Sequence, residues 1–84
     1  MTRISPETLR YQADVADEHG NPQLADNFRR AAELATLSDD DVLRVYEALR
    51  PGRSKPDELA ALADWLEARG CPRTAALVRE ATYS

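Results

Sequence analysis

The 84-residue chain carries a formal net charge of −4, with 43% hydrophobic and 31% charged residues, enough for one domain and too little for two. The acidic balance argues against nucleic acid, which requires a basic face. Cys71 is the single cysteine and His19 the single histidine, so neither an internal disulfide nor a tetrahedral N/S metal site can be built. No apolar run approaches the roughly 20 residues that span a bilayer, and MTRISPETLR has no apolar signal core. A cytoplasmic, one-domain protein is expected. A domain this small buries only about 60–65% of its unfolded surface, which leaves a partner as the open source of stability.

Helix starts recur along the chain. Ser5-Pro6, Asn21-Pro22, Ser38-Asp39, Ser54-Lys55-Pro56 and Cys71-Pro72 each offer a small cap, most with a proline for the first turn. Ser38-x-x-Asp41 and Ser54-x-x-Asp57 resemble capping boxes. Stops stand at Gly20, Pro51-Gly52 and Gly70. Five helices are expected, near 6–19, 22–36, 39–50, 55–69 and 72–82, with no period-2 segment to compete.

Apolar spacing assigns a core face to each helix in turn. The stripes are Leu9, Ala13, Ala16; then Leu24, Phe28, Ala31, Ala35; then Val42, Val45, Tyr46, Leu49. They continue with Leu59, Leu62, Ala63, Leu66 and with Thr74, Leu77, Val78, Ala81. The fold class is all-α, a small helical bundle with short connections.

The chain also repeats. A gapless shift of 50 residues lays Pro6 on Pro56, Leu9 on Leu59 and Ala13-Asp14 on Ala63-Asp64. Gly20, Pro22, Ala25, Arg29 and Ala31 then meet Gly70, Pro72, Ala75, Arg79 and Ala81. Capped hairpins share turn residues by chance, but the matched non-turn positions point to two related helical hairpins joined by the third helix.

Chemistry is sparse. His19, before Gly20, reads as a helix-end residue that complements the macrodipole. Cys71 reads as a turn residue, with no Cys-x-x-Cys beside it. Asp39-Asp40-Asp41 fits the positive end of a helix; consecutive helical residues diverge by about 100°, so their carboxylates cannot converge on one ion. No Gly-x-Gly-x-x-Gly, Walker lysine, Gly-x-Ser-x-Gly or His-Glu-x-x-His occurs. No catalytic, cofactor-binding or metal residue is expected.

Aromatics and arginines carry the remaining signal. Tyr11 and Val15 lie off the first helix's core stripe, and Trp65 occupies the position equivalent to Val15. Trp65 either covers a hairpin edge or anchors a partner, a role in which Trp, Tyr and Arg are enriched. In YEALRPGRS (46–54), Arg50 and Arg53 bracket a stiff Pro-Gly corner. Their forks can meet carboxylates or carbonyls of another surface, or Arg50 can cap its own helix while Arg53 pairs with Asp57. The candidate interface residues are Arg50, Arg53, Tyr46, Trp65, Tyr11 and Val15.

RISPETLRYQA (3–13), NFRRAAEL (27–34), YEALRPGRS (46–54), ELAALAD (58–64) and AALVREA (75–81) together resemble the small, or gamma, subunit of adenosylcobalamin-dependent diol and glycerol dehydratases. The resemblance holds one register over nearly the whole chain. It implies an assembly of large, medium and small subunits, commonly a dimer of such trimers, that converts 1,2-diols or glycerol to aldehydes. Substrate and metal cations would belong to the large subunit, and adenosylcobalamin would lie between the large and medium subunits. The small subunit would be a helical, non-catalytic piece packed on the large one. That implication favours partner docking for Arg50 and Arg53. Relatives usually carry a further N-terminal stretch, in some cases tied to bacterial microcompartments, so targeting there is not expected. Many relatives also place an aromatic after the proline where this chain has Gly52. A stand-alone helical adaptor is the alternative, and the residues leave self-association of the isolated chain open.

Overall fold

The computed structural model describes residues 4–81. Five helices follow one another: α1 (Pro6–Glu18), α2 (Pro22–Leu34), α3 (Asp39–Ala48), α4 (Pro56–Ala68) and α5 (Pro72–Glu80). No strand occurs among the described residues, and the all-α expectation holds. Helix ends fall one or two residues short of those expected, because the last residues serve as caps. The expected end of the fifth helix at 82 lies outside the described residues. The chain divides into two compact units, one through Thr36 and one from Leu37.

Capping is local and largely as the sequence implies. The Thr8 amide donates to Ser5 Oγ at 3.2 Å, Leu24 to Asn21 Oδ1 at 3.2 Å, and Asp41 to Ser38 Oγ at 3.1 Å. The fourth start differs. Lys55, not Ser54, is the cap residue, and its amide donates to Glu58 Oε1 at 3.0 Å. Ser54 Oγ instead donates to the Ala48 carbonyl at 2.9 Å, which ties the α3–α4 connection back onto the end of α3.

In the first unit α1 packs on α2. The reversal between them takes three residues and passes through Gly20 at φ +74°. The Asn21 amide reaches the Ala16 carbonyl at 2.9 Å and the Gly20 amide the Asp17 carbonyl at 3.0 Å, the paired bonds of a Schellman motif. In the second unit the same bonds run from Cys71 to Leu66 (2.9 Å) and from Gly70 to Glu67 (3.1 Å), with Gly70 at φ +77°. The repeat read from the sequence is thus a repeat of backbone geometry.

Both hairpins close on alanine. Ala13 and Ala25 are fully buried in the first, Ala63 and Ala75 in the second, joined there by Leu59, Leu62, Leu66 and Val78. The core stripe expected for α4 holds in full. That for α2 is rotated by about one residue (100° of helix): Ala25 and Ala32 are buried, while Leu24 is 41% exposed. Tyr46 and Leu77, also expected inside, are exposed.

A Cβ at Gly20 or Gly70 would meet nothing within 4 Å, so its cost is conformational alone. Gly20→Ala and Gly70→Ala should each lower unfolding stability by about 1 kcal/mol, without a change in helix content, in urea titrations followed by circular dichroism.

Candidate partner-docking surfaces

One ion-pair arrangement is built twice. Arg29 on α2 reaches back to Asp14 at 3.3 Å and Asp17 at 2.5 Å on α1. Arg79 on α5 makes the equivalent reach to Asp64 at 2.8 Å and Glu67 at 2.8 Å on α4. The hydrogen bond to Asp17 is the main cause holding the Arg29 guanidinium above its ordinary pKa, as the bond to Glu67 is for Arg79. Arg29 and Arg79 are matched positions of the repeat, and the structure gives that match a physical meaning: each arginine clamps its own hairpin. His19 is also local, its Nδ1 donating to the Val15 carbonyl at 2.8 Å at the end of α1.

The arginine corner is a type II turn. Pro51 takes the first central position, Gly52 at φ +74° the second, and the Arg53 amide donates to the Arg50 carbonyl at 3.1 Å. The two guanidiniums converge on Glu47: Arg50 Nη1 lies 3.2 Å from Oε2 and Arg53 Nε 3.5 Å from Oε1. The local alternative in which Arg53 pairs with Asp57 gives way to this one. All three side chains are more than half exposed, so the cluster contributes little stability; it sets where the two forks point.

Leu43 and Tyr46 stand on the same side of α3, 64% and 58% exposed. With Arg50 they follow an i, i+3, i+7 pattern, an outward stripe about 60° wide that ends at the corner. Sequence reasoning missed Leu43; its spacing from Tyr46 and Arg50 was the available signal. Trp65 is half-buried, with Arg44 of α3 at 4.9 Å and Arg69 at 4.7 Å from its ring centroid. It is therefore a cation–π partner within its own unit. Tyr11 is 69% exposed, and with Val15, Leu24 and Phe28 it lines an apolar groove between α1 and α2. The structure thus separates the six candidates: Tyr46, Arg50 and Arg53 at the α3 corner, Tyr11 and Val15 on the first hairpin, and Trp65 under arginines.

Among the described residues no group of three or more His, Cys, Asp or Glu could hold a metal ion. Nor is any helix there long and apolar enough to cross a membrane. What stands out is surface: an all-α pair of hairpins bearing an aromatic–arginine edge and an apolar groove.

Comparison with known proteins gives that class a family. The sequence model of the dehydratase small subunit matches residues 1–84, and the chain belongs to that family. It is 56% identical over 80 residues to the propanediol dehydratase small subunit of Citrobacter freundii, covering 94% of this chain and 46% of that protein. Identity to the propanediol dehydratase small subunit of Salmonella typhimurium (strain LT2) is 55%, with the same coverage. The chain therefore spans about half the length of the curated relatives it matches.

Trp65 is the chain's single tryptophan, which gives its arginine cover a direct readout. Arg44→Gln and Arg69→Gln should each increase acrylamide quenching of its fluorescence. Unchanged quenching in both would mean that the guanidiniums do not shield the ring.

Proposed function

We propose that this chain is a non-catalytic small subunit of a B12-dependent diol or glycerol dehydratase, a hydro-lyase turning 1,2-diols or glycerol into aldehydes. The observation that carries the reading is the match to dehydratase small subunits along the full chain. In this reading the chain packs on the large subunit of a cytoplasmic assembly that also holds a medium subunit, and contributes surface only.

Adenosylcobalamin supplies the radical chemistry of such an enzyme. The residues of this chain do not fit it. The one imidazole, His19, stands exposed at the end of α1 and belongs to no group of metal-ligating side chains among the described residues, and the one thiol, Cys71, is fully buried. The groove beside His19 measures about 480 Å³, far below a corrin with its nucleotide. No step is assigned to these side chains.

The docking edge in this reading is Leu43, Tyr46, Arg50 and Arg53. An exposed aromatic beside two guanidiniums is the composition that dominates binding energy at interfaces. Glu47 and the Pro51-Gly52 turn hold the forks before contact, which lowers the ordering cost of binding.

Co-expression with the large and medium subunits tests the proposal. A stable complex with coenzyme-dependent aldehyde production is expected, and absence of association at micromolar concentration would overturn the subunit reading. Arg50→Ala combined with Arg53→Ala should weaken assembly about tenfold or more, as should Tyr46→Ala, with helix content unchanged by circular dichroism. Unchanged affinity would return the corner to a local role.

A further inference from the structure

Most arginines whose contacts are described here are spent on acids of their own unit. Arg29 and Arg79 close their hairpins, and Arg50 and Arg53 share Glu47. Arg44 and Arg69 are used otherwise. Both are exposed, both lie against the Trp65 ring, at 4.9 and 4.7 Å, and among the described residues neither guanidinium meets a carboxylate or another oxygen acceptor. Asp40 and Asp41 stand one turn back from Arg44 on α3 and leave it unpaired. The repeat marks this as a departure of the second copy. Trp65 and Arg69 fall on Val15 and His19, and the His19 Nδ1 is committed to the Val15 carbonyl at 2.8 Å.

Contact with a ring draws on the charge of a guanidinium and leaves its N–H donors without oxygen acceptors. It also restricts where the side chain points, which lowers the cost of ordering it against a partner. Two cations on one half-buried indole are therefore gathered and unspent, in a chain whose net charge is −4. The adjoining helix end is the C-terminus of α4, where Arg69 is the cap residue. It presents carbonyls and not the amides that hold phosphate at a helix start, and its negative charge of about half a unit offsets only part of the two cations. Planar forks with free donors match planar carboxylates. Around α3, Arg44 is turned by about 100° or more from Leu43, Tyr46 and Arg50, so this face is separate from the α3 edge.

We propose that Arg44 and Arg69, held on Trp65, form a second docking point, taking an acidic segment from another subunit of the dehydratase assembly. Each guanidinium receives a carboxylate of that segment through its free N–H edge, while the indole fixes both forks from beneath. Trp65 is thus a platform that acts through the arginines laid on it. The proposal rests on the subunit reading above, and adds a carboxylate-binding face to the α3 edge.

The test immobilises the 84-residue chain and measures binding of the large–medium complex by interferometry, with association and dissociation read separately. Arg44→Gln combined with Arg69→Gln should speed dissociation about tenfold or more, with helix content unchanged by circular dichroism because both side chains are exposed. A loss confined to the association rate would mean long-range steering and overturn the carboxylate seat. Wild-type binding that the double variant does not alter overturns the docking point and leaves the subunit reading intact. No binding by the wild-type chain overturns both. Inorganic phosphate titrated into the isolated chain checks the ligand class, with Trp65 as the reporter. A phosphate-induced change in Trp65 emission below about 1 mM, with affinity for the complex unaffected by phosphate, would seat a small oxyanion there and overturn the assignment to a subunit.

Discussion

The left-handed glycine at each helix reversal is the constraint from which the rest of each hairpin follows. With only three residues between helices, the chain can turn back only if one residue adopts positive φ, and Gly20 and Gly70 do so at +74° and +77°. A reversal this tight sets the paired helices close together. Alanines at matched positions of the two hairpins, Ala13 and Ala63, Ala25 and Ala75, are fully buried, joined in the second by Leu66, Cys71 and Val78. The same spacing places Arg29 opposite Asp14 and Asp17, and Arg79 opposite Asp64 and Glu67. Turn, alanine seam and arginine clamp form one unit of design, used twice.

An alanine seam has a cost. Hydrophobic stabilisation scales with apolar area removed from water, and alanine contributes little area. Several larger apolar side chains stay outside the core, as Leu24, Tyr11, Leu43 and Tyr46 do. Exposed apolar side chains beside acids and arginines make a poor isolated domain and a good component. The two copies part company where this matters: the seam is shared, while Val15 and Trp65, Leu24 and Thr74, Phe28 and Val78 differ across the same face.

Much of the fold was legible because it is written in local chemistry. Ser5, Asn21 and Ser38 each accept a bond from the amide three residues on, and prolines and glycines act on their own dihedrals. The α2 stripe was not legible, since Leu24, Phe28, Ala31 and Ala35 satisfy helical spacing as well as Ala25 and Ala32 do. Choosing between them requires knowing that the neighbouring helix offers alanine. Ser54 misled for a similar reason: Lys55 can occupy the cap position because Glu58 binds its backbone amide, a solution that the cap residue's own identity does not announce. The partners of Arg50 and Arg53 depended on Glu47, one turn back on α3, and on the turn type that folds Arg53 toward it.

The arginine corner gathers two side chains while adding little stability. Glu47 is exposed, so its pairs with Arg50 and Arg53 are screened and contribute little to folding. Their effect is on direction: two flexible side chains that would otherwise sample many rotamers share one acceptor, on a turn whose backbone Pro51 and Gly52 restrict. On the docking edge proposed above, a partner carboxylate would meet forks already gathered, at a lower ordering cost. In Trp65 the device is inverted, with arginines covering an aromatic of the same unit, and among the described residues Tyr46 and Tyr11 are rings that face outward. Which aromatic is covered and which is bare, more than how many there are, decides where such a chain can be held.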